Sequence, residues 1–403
     1  MDRLQNEGEI TSRETQSLPR RQLLKSAAGA GLSTLALAAG KMGAAQEPRG
    51  NSGQGLILRE RAPENLESPF ADLDSFITPT NKFYVRSHFA TPKIDAASWK
   101  LSVSGKVSRP LELSYDEILK MPSRTIPVTL ECAGNSRIYL SPTASGVLWQ
   151  LGAVSNAEWT GVPLSAVLER AGVLRGAVDV VFEGADSGEP KAPPRPSGPI
   201  HFVRSIPLSK ARQLDVILAY KMNGETLPVS HGFPLRVIVP GWYGVAAIKW
   251  LSRIVVTDQP FQGHFQTIDY ARWERIDGMP TRVPLGEMAV KAEIARPEAM
   301  ETVAAGTTYR IHGAAWTGDS DIAKVDVSVD GGKSWNPAKL LGNPIRYAWR
   351  LWEYQWNVPA QPGSLTLMAR ATDARGRTQP MERQPDSENY MIHHVLPVEV
   401  LVK

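Results

Sequence analysis

The chain has 403 residues, enough for two or three domains that each bury a core, and its hydrophobic (42%) and charged (21%) fractions are those of an ordinary globular protein. Its formal net charge of +4 comes from scattered side chains rather than a basic run interleaved with aromatics, which excludes a nucleic-acid-binding surface. A single cysteine, Cys132, excludes a disulfide framework.

Residues 1–45 read as a targeting segment. Arg20 and Arg21 precede a mild apolar stretch from Ser26 to Gly40, and small residues at Gly43-Ala44-Ala45 offer a cleavage site before Gln46. Paired arginines ahead of a weakly apolar, glycine-bearing segment predict twin-arginine export to the periplasm. A membrane-spanning helix needs roughly 20 apolar residues, and this stretch is shorter and rich in Gly and Ala. No membrane association is therefore expected once it is removed. Residues 46–80 lack periodicity and read as an irregular arm.

Residues 81–287 mix short alternating strands with a few helices. Trp99 to Val103 alternates as a half-buried strand and ends at Gly105. Tyr115 to Lys120 reads as a short helix capped by Ser114, and Leu164 to Ala171 as another, entered through Pro163. Asp215 to Tyr220 and Leu235 to Val239 are apolar runs that periodicity leaves open between strand and helix. Lys191 to Pro199 is a proline-rich loop. From Met288 to Lys403 strands dominate. Val325 to Val329 alternates strictly, Asp330-Gly331-Gly332 turns the chain, and Thr366 to Thr372 alternates before a turn at residues 373–376. The expected class is α+β: a mixed α/β domain followed by an immunoglobulin-like β-sandwich.

A lone thiol in an oxidising compartment is either a buried, inert small hydrophobe or a thiolate held on a soft metal. Cys132 lies in Thr129-Leu-Glu-Cys-Ala-Gly-Asn-Ser-Arg137, where an alternating strand gives way to small residues. This predicts a thiol at a strand end, with Gly134 and Asn135 permitting tight curvature beside a bulky ligand.

The segment resembles the sulfite oxidase family, in which Cys-Ala-Gly-Asn carries the molybdenum ligand. The likeness continues in order. Tyr84-Val85-Arg86-Ser87-His88 resembles the segment approaching the pterin, with Arg86 also facing substrate. Phe182-Glu-Gly-Ala-Asp186 is similar to a turn whose aspartate binds the pterin. His231-Gly-Phe-Pro-Leu-Arg236 and Ala247-Ile248-Lys249 look like the family's cofactor cradle. The resemblance implies a molybdopterin molybdenum cofactor on Cys132, with His231, Arg236 and Lys249 holding it; an anionic phosphate and polar heterocycle suit such cationic donors. It further implies a substrate pocket of Arg86, Arg137, Trp149, Tyr270 and Arg350, the last reaching back from the sandwich. Ser136 stands where many members have another arginine.

The implied reaction oxidises sulfite to sulfate with oxygen from water. Electrons leave one at a time to an external c-type cytochrome, since no Cys-x-x-Cys-His marks a haem of the chain's own. A homodimer is implied as well. The same scaffold supports sulfane dehydrogenases and nitrate reductases; a pocket Arg350 favours sulfite over nitrate. A cofactor-free binding module would leave Cys132 unexplained.

Overall fold

The computed structural model describes residues 55–403 except Ala192; the expected export signal and the first residues of the arm lie outside the described residues. Among the described residues no helix is long and apolar enough to cross a membrane.

The first domain is built on two five-stranded sheets. One runs in the order Glu225–Thr226, Ile217–Met222, Val154–Pro163, Arg124–Glu131, with Arg236–Ile238 also paired to Ile217–Met222. The two apolar runs left open by periodicity are thus strands bonded to each other. They are short and buried along nearly their whole length, which erases the alternation of a one-sided strand. The second sheet runs Leu111–Ser114, Lys100–Gly105, Leu251–Thr257, Asp179–Gly188, Ile200–Pro207. Both expected helices form. Ser114 and Glu117 make a reciprocal capping box on Tyr115–Lys120. Leu164–Ala171 buries Leu164, Val167, Leu168 and Ala171 and ends at Gly172, whose φ of 68° suits a residue without Cβ.

The arm is more ordered than its composition implies. Ile57–Arg61 pairs with Glu64–Glu67 as a hairpin. The Glu67 carboxylate accepts the backbone N–H groups of Gln150 and Gly152 at 3.2 and 2.7 Å. Polar tertiary contacts, invisible to hydrophobic patterning, hold it.

The C-terminal part is a β-sandwich. Its four-stranded sheet runs Lys291–Arg296, Thr308–Trp316, Arg350–Asn357, Lys339–Leu340; its five-stranded sheet runs Thr302–Val303, Val398–Val402, Gly363–Asp373, Ile322–Ser328, Asn336–Pro337. The first sheet has two buried faces. In Thr308–Trp316, Ile311 and Ala315 enter the sandwich core while Ala314 and Trp316 join the core of the first domain. Lys291–Arg296 repeats the division: Ala292 and Ile294 face the sandwich, Ala295 the first domain. Successive side chains point to opposite faces, so each strand serves two interiors.

Trp352 is fully buried in the sandwich core. Trp352→Ala is expected to lower stability by about 3–5 kcal/mol, measured as a shift in denaturant midpoint.

Candidate active site

A cavity opens beside Cys132. Arg124–Glu131 delivers the cysteine at its end, where Cys132 N–H donates to Ala153 O at 2.8 Å and Asn135 N–H to Cys132 O at 2.8 Å. The left-handed residue of the turn is Ser136, φ 70°, rather than Asn135. The Asn135 side chain instead braces the turn, its Oδ1 accepting Ala153 N–H at 3.0 Å. Gly134 is required for space: a Cβ there would sit 2.3 Å from the Arg137 guanidinium.

Tyr84, Val85, Arg86, Ser87 and His88 all line the cavity. The arm hairpin holds them. Val85 exchanges backbone hydrogen bonds with Leu66 at 2.8 and 2.9 Å. Asn65, fully buried, accepts from Ser87 N–H at 2.8 Å and from Arg86 Nη1 at 3.3 Å. Asn65 had no signal in the sequence beyond its place in an apparently irregular arm.

Asp186, His231, Arg236, Ala247, Ile248 and Lys249 form another part of the wall. Asp186 sits within the strand Asp179–Gly188, at a slip of register between Glu183 and Ser187, rather than on a turn. The bulge aims it inward, and burial pushes its carboxyl up to about 6. Lys249 Nζ donates to Ser87 Oγ at 2.8 Å and Ser230 O at 2.9 Å. Arg236 donates to His231 O and Ala247 O at 3.0 Å each, while its buried Nε has no protein partner. Burial and the Arg236 charge push Lys249 well below the usual lysine range; burial, with the same cation, brings His231 down to about 3. Arg236 and Lys249 are the donors of this group, with one carboxylate beside them and His231 neutral, an environment that suits an anion.

Tyr270 closes the pocket from the segment ahead of the hairpin Ala271–Ile276/Met279–Pro284. Its hydroxyl shares a 2.6 Å hydrogen bond with His88 Nε2 and lies 3.4 Å from Arg86 Nη2. Its φ of 54° places it in the left-handed region. The buried guanidinium of Arg204 holds that conformation by donating to Phe265 O at 2.5 Å and Leu285 O at 2.6 Å. Burial pushes Tyr270 up to about 12 and His88 well below its usual value, so the pair carries one phenol and one neutral imidazole at pH 7.

Three expected pocket residues lie elsewhere. Arg137 is buried behind the Cys132 turn, donating to Asn389 O and Val147 O at 3.1 Å each. Trp149 is fully buried in the core beneath the turn. Arg350 opens a sandwich strand opposite Ala315, on the face that carries Trp352 and Trp356 into the sandwich interior. The alternation that turns Trp349 and Leu351 toward the catalytic domain turns Arg350 away from it. It adds no cation to the pocket and gives no ground for favouring sulfite over nitrate.

The sandwich reaches the site through other residues. Tyr390 packs on Tyr270 with ring centroids 4.8 Å apart, hydrogen-bonds the Asp269 carboxylate, and lies under the Arg137 guanidinium at 5.2 Å. Met391 N–H donates to Ala133 O at 2.8 Å. Lys291 and Glu293 form a buried ionic group with Glu131. Burial pushes Glu293 up to about 7, partly offset by Lys291. None of the five histidines outside the expected site lines the cavity.

Residues 88–265 match the oxidoreductase molybdopterin binding domain and residues 282–392 the Mo-co oxidoreductase dimerisation domain. The mitochondrial sulfite oxidase of Homo sapiens is 37% identical over 344 residues, covering 81% of this chain and 61% of that protein. Sulfite oxidase of Arabidopsis thaliana is 33% identical over 355 residues, covering 81% and 88%. The crystal structure of the sulfane dehydrogenase SoxCD from Paracoccus pantotrophus aligns with a TM-score of 0.72 at 26% identity, covering 91% of this chain and 92% of that one. The fold and the cavity are those of a molybdopterin-binding oxidoreductase. More narrowly, the chain belongs to the sulfite oxidase family. Its match spans 61% of the length of the mammalian mitochondrial relatives.

The residues fit the family's cofactor. A soft thiol stands at the wall, and the orphaned Arg236 Nε and neighbouring cations suit a phosphate-bearing pterin. Among the described residues no group of three His, Cys, Asp or Glu side chains converges on a point. A metal on Cys132 would take its other ligands from the pterin and solvent. Cys132→Ser is expected to leave a folded chain that still binds pterin but has no turnover; activity in that variant would remove the metal-ligand role.

Proposed function

We propose that the chain oxidises sulfite to sulfate: sulfite and water yield sulfate, two protons and two electrons. The observation that carries this reading is the convergence of the Arg86 guanidinium, the Tyr270 hydroxyl and the Cys132 thiol on one cavity. Molybdenum bound there supplies the two-electron oxidation and exchange of an oxygen atom with water. Arg86 binds the oxyanion, held ready by Asn65 and the Ser87 carbonyl. Tyr270, protonated at neutral pH, donates to the anion or to His88, whose ring burial keeps neutral. Buried aromatics Phe202 and Phe265 beside His88 limit water around this pair.

The same proposal includes export by the twin-arginine signal to the periplasm, an external c-type cytochrome as electron acceptor, and a homodimer through the sandwich domain. The match to the dimerisation domain supports the last. A second reading, oxidation of sulfane sulfur, draws support from the near end-to-end alignment with SoxCD.

Arg86→Gln is expected to raise the KM for sulfite about ten- to a hundredfold with molybdenum content unchanged, the loss of one charge-assisted contact of roughly 1.5–3 kcal/mol. Steady-state reduction of cytochrome c by sulfite is the direct assay; turnover with a sulfane donor but none with sulfite would overturn the first reading in favour of the second. Arg20→Lys with Arg21→Lys is expected to retain precursor in the cytoplasm, scored by fractionation; unchanged export would remove the twin-arginine assignment.

A further inference from the structure

We infer that Lys291, a residue of the sandwich, is the positioning residue for the Cys132 thiolate. The inference rests on the reading of Cys132 as the metal ligand. Lys291 Nζ lies 3.1 Å from Glu131 Oε1, 3.0 Å from Ser136 Oγ and 2.8 Å from Glu293 Oε1. An ammonium has three N–H donors, and all three are used. Glu131 precedes the cysteine and Ser136 ends its turn, so one cation ties both ends of the ligand loop together.

The surroundings make this tie exclusive. Lys291 is 1% exposed, and Glu131 and Glu293 are equally out of reach of water. Trp316 Nε1, also from the sandwich, donates to Glu131 Oε2 at 2.9 Å. Ser136 Oγ donates to Glu293 Oε1 at 2.7 Å, and Asn135 Nδ2 to Glu131 Oε1 at 3.3 Å. Without the ammonium, two buried carboxylates would face each other with no cation, and the turn would relax. Cys132 lines the cavity and Lys291 does not, so Lys291 acts through the backbone and touches neither substrate nor cofactor.

The test compares holoenzyme of Lys291→Met, Lys291→Arg and the double variant Lys291→Met/Glu293→Leu. Readouts are molybdenum per chain, the electron paramagnetic resonance signal of Mo(V) generated by chemical reduction, thermal midpoint, and kcat and KM separately. Lys291→Met is expected to shift the Mo(V) signal and lower kcat about ten- to a hundredfold while KM stays within about threefold. Lys291→Arg is expected to restore the wild-type signal. The double variant, which removes the cation and one of its two carboxylates, is expected to recover part of the thermal midpoint but not the signal. Should Lys291→Met fail to fold, the double variant carries the test. A wild-type Mo(V) signal and kcat in the double variant would overturn the inference, leaving Lys291 a stability residue only. Because chemical reduction needs no substrate, the signal reports on the loop even if sulfite is not the substrate, and molybdenum-free wild-type protein would instead overturn the underlying assignment of Cys132.

Discussion

The sandwich sheet that faces the catalytic domain must satisfy two interiors at once, and the architecture follows from that. A one-sided sheet presents its polar face to water, but Lys291–Arg296 and the second half of Thr308–Trp316 have none to spare. Every second side chain must therefore be apolar or belong to a closed polar network. Trp316 does both, packing in the catalytic core and donating to Glu131. Lys291 and Glu293 are the charged exceptions, and their partners lie on the turn that bears the thiol. The two domains are one folding problem at that seam.

The cavity shows the complementary logic. Its cations are satisfied by carbonyls and hydroxyls rather than carboxylates: Arg236 by two backbone oxygens, Lys249 by Ser87 and Ser230, Arg86 by Asn65 and Ser87. Hydrogen bonds to neutral acceptors fix the direction of each donor without cancelling its charge. The positive field is left available to an anionic ligand, and the cost of burying it is met by packing elsewhere.

Much of this could be read in the residues. The capping box at Ser114, the helix after Pro163 and the alternating strand at Val325 announce themselves by local chemistry. The residues of the cavity wall were legible for a different reason: a lone cysteine among small residues and clustered cations resembles a family whose motifs are short and ordered. Arg350 shows where such reading stops. Its Trp-Arg-Leu-Trp context says that the segment is half-buried, but which neighbour lies on which side depends on pairing with Ala315, a long-range register that the segment does not encode. Tyr390 and Asn65 were missed because each sits in a stretch without periodicity, positioned by hydrogen bonds across the fold. Lys291 and Glu293 look like the wet face of an edge strand until the second domain is placed upon them.

Asn65 gives the N-terminal hairpin a role in the chemistry that its distance along the chain conceals. The loop joining Arg61 to Glu64 is an exposed tip, and tips of this kind are where proteases cut. A cut there would leave both large domains and their cores intact while freeing the residue that orients Arg86 and the Ser87 backbone. The hairpin tip is thus a place where the wall of the cavity depends on a short, exposed connection that neither hydrophobic core supports.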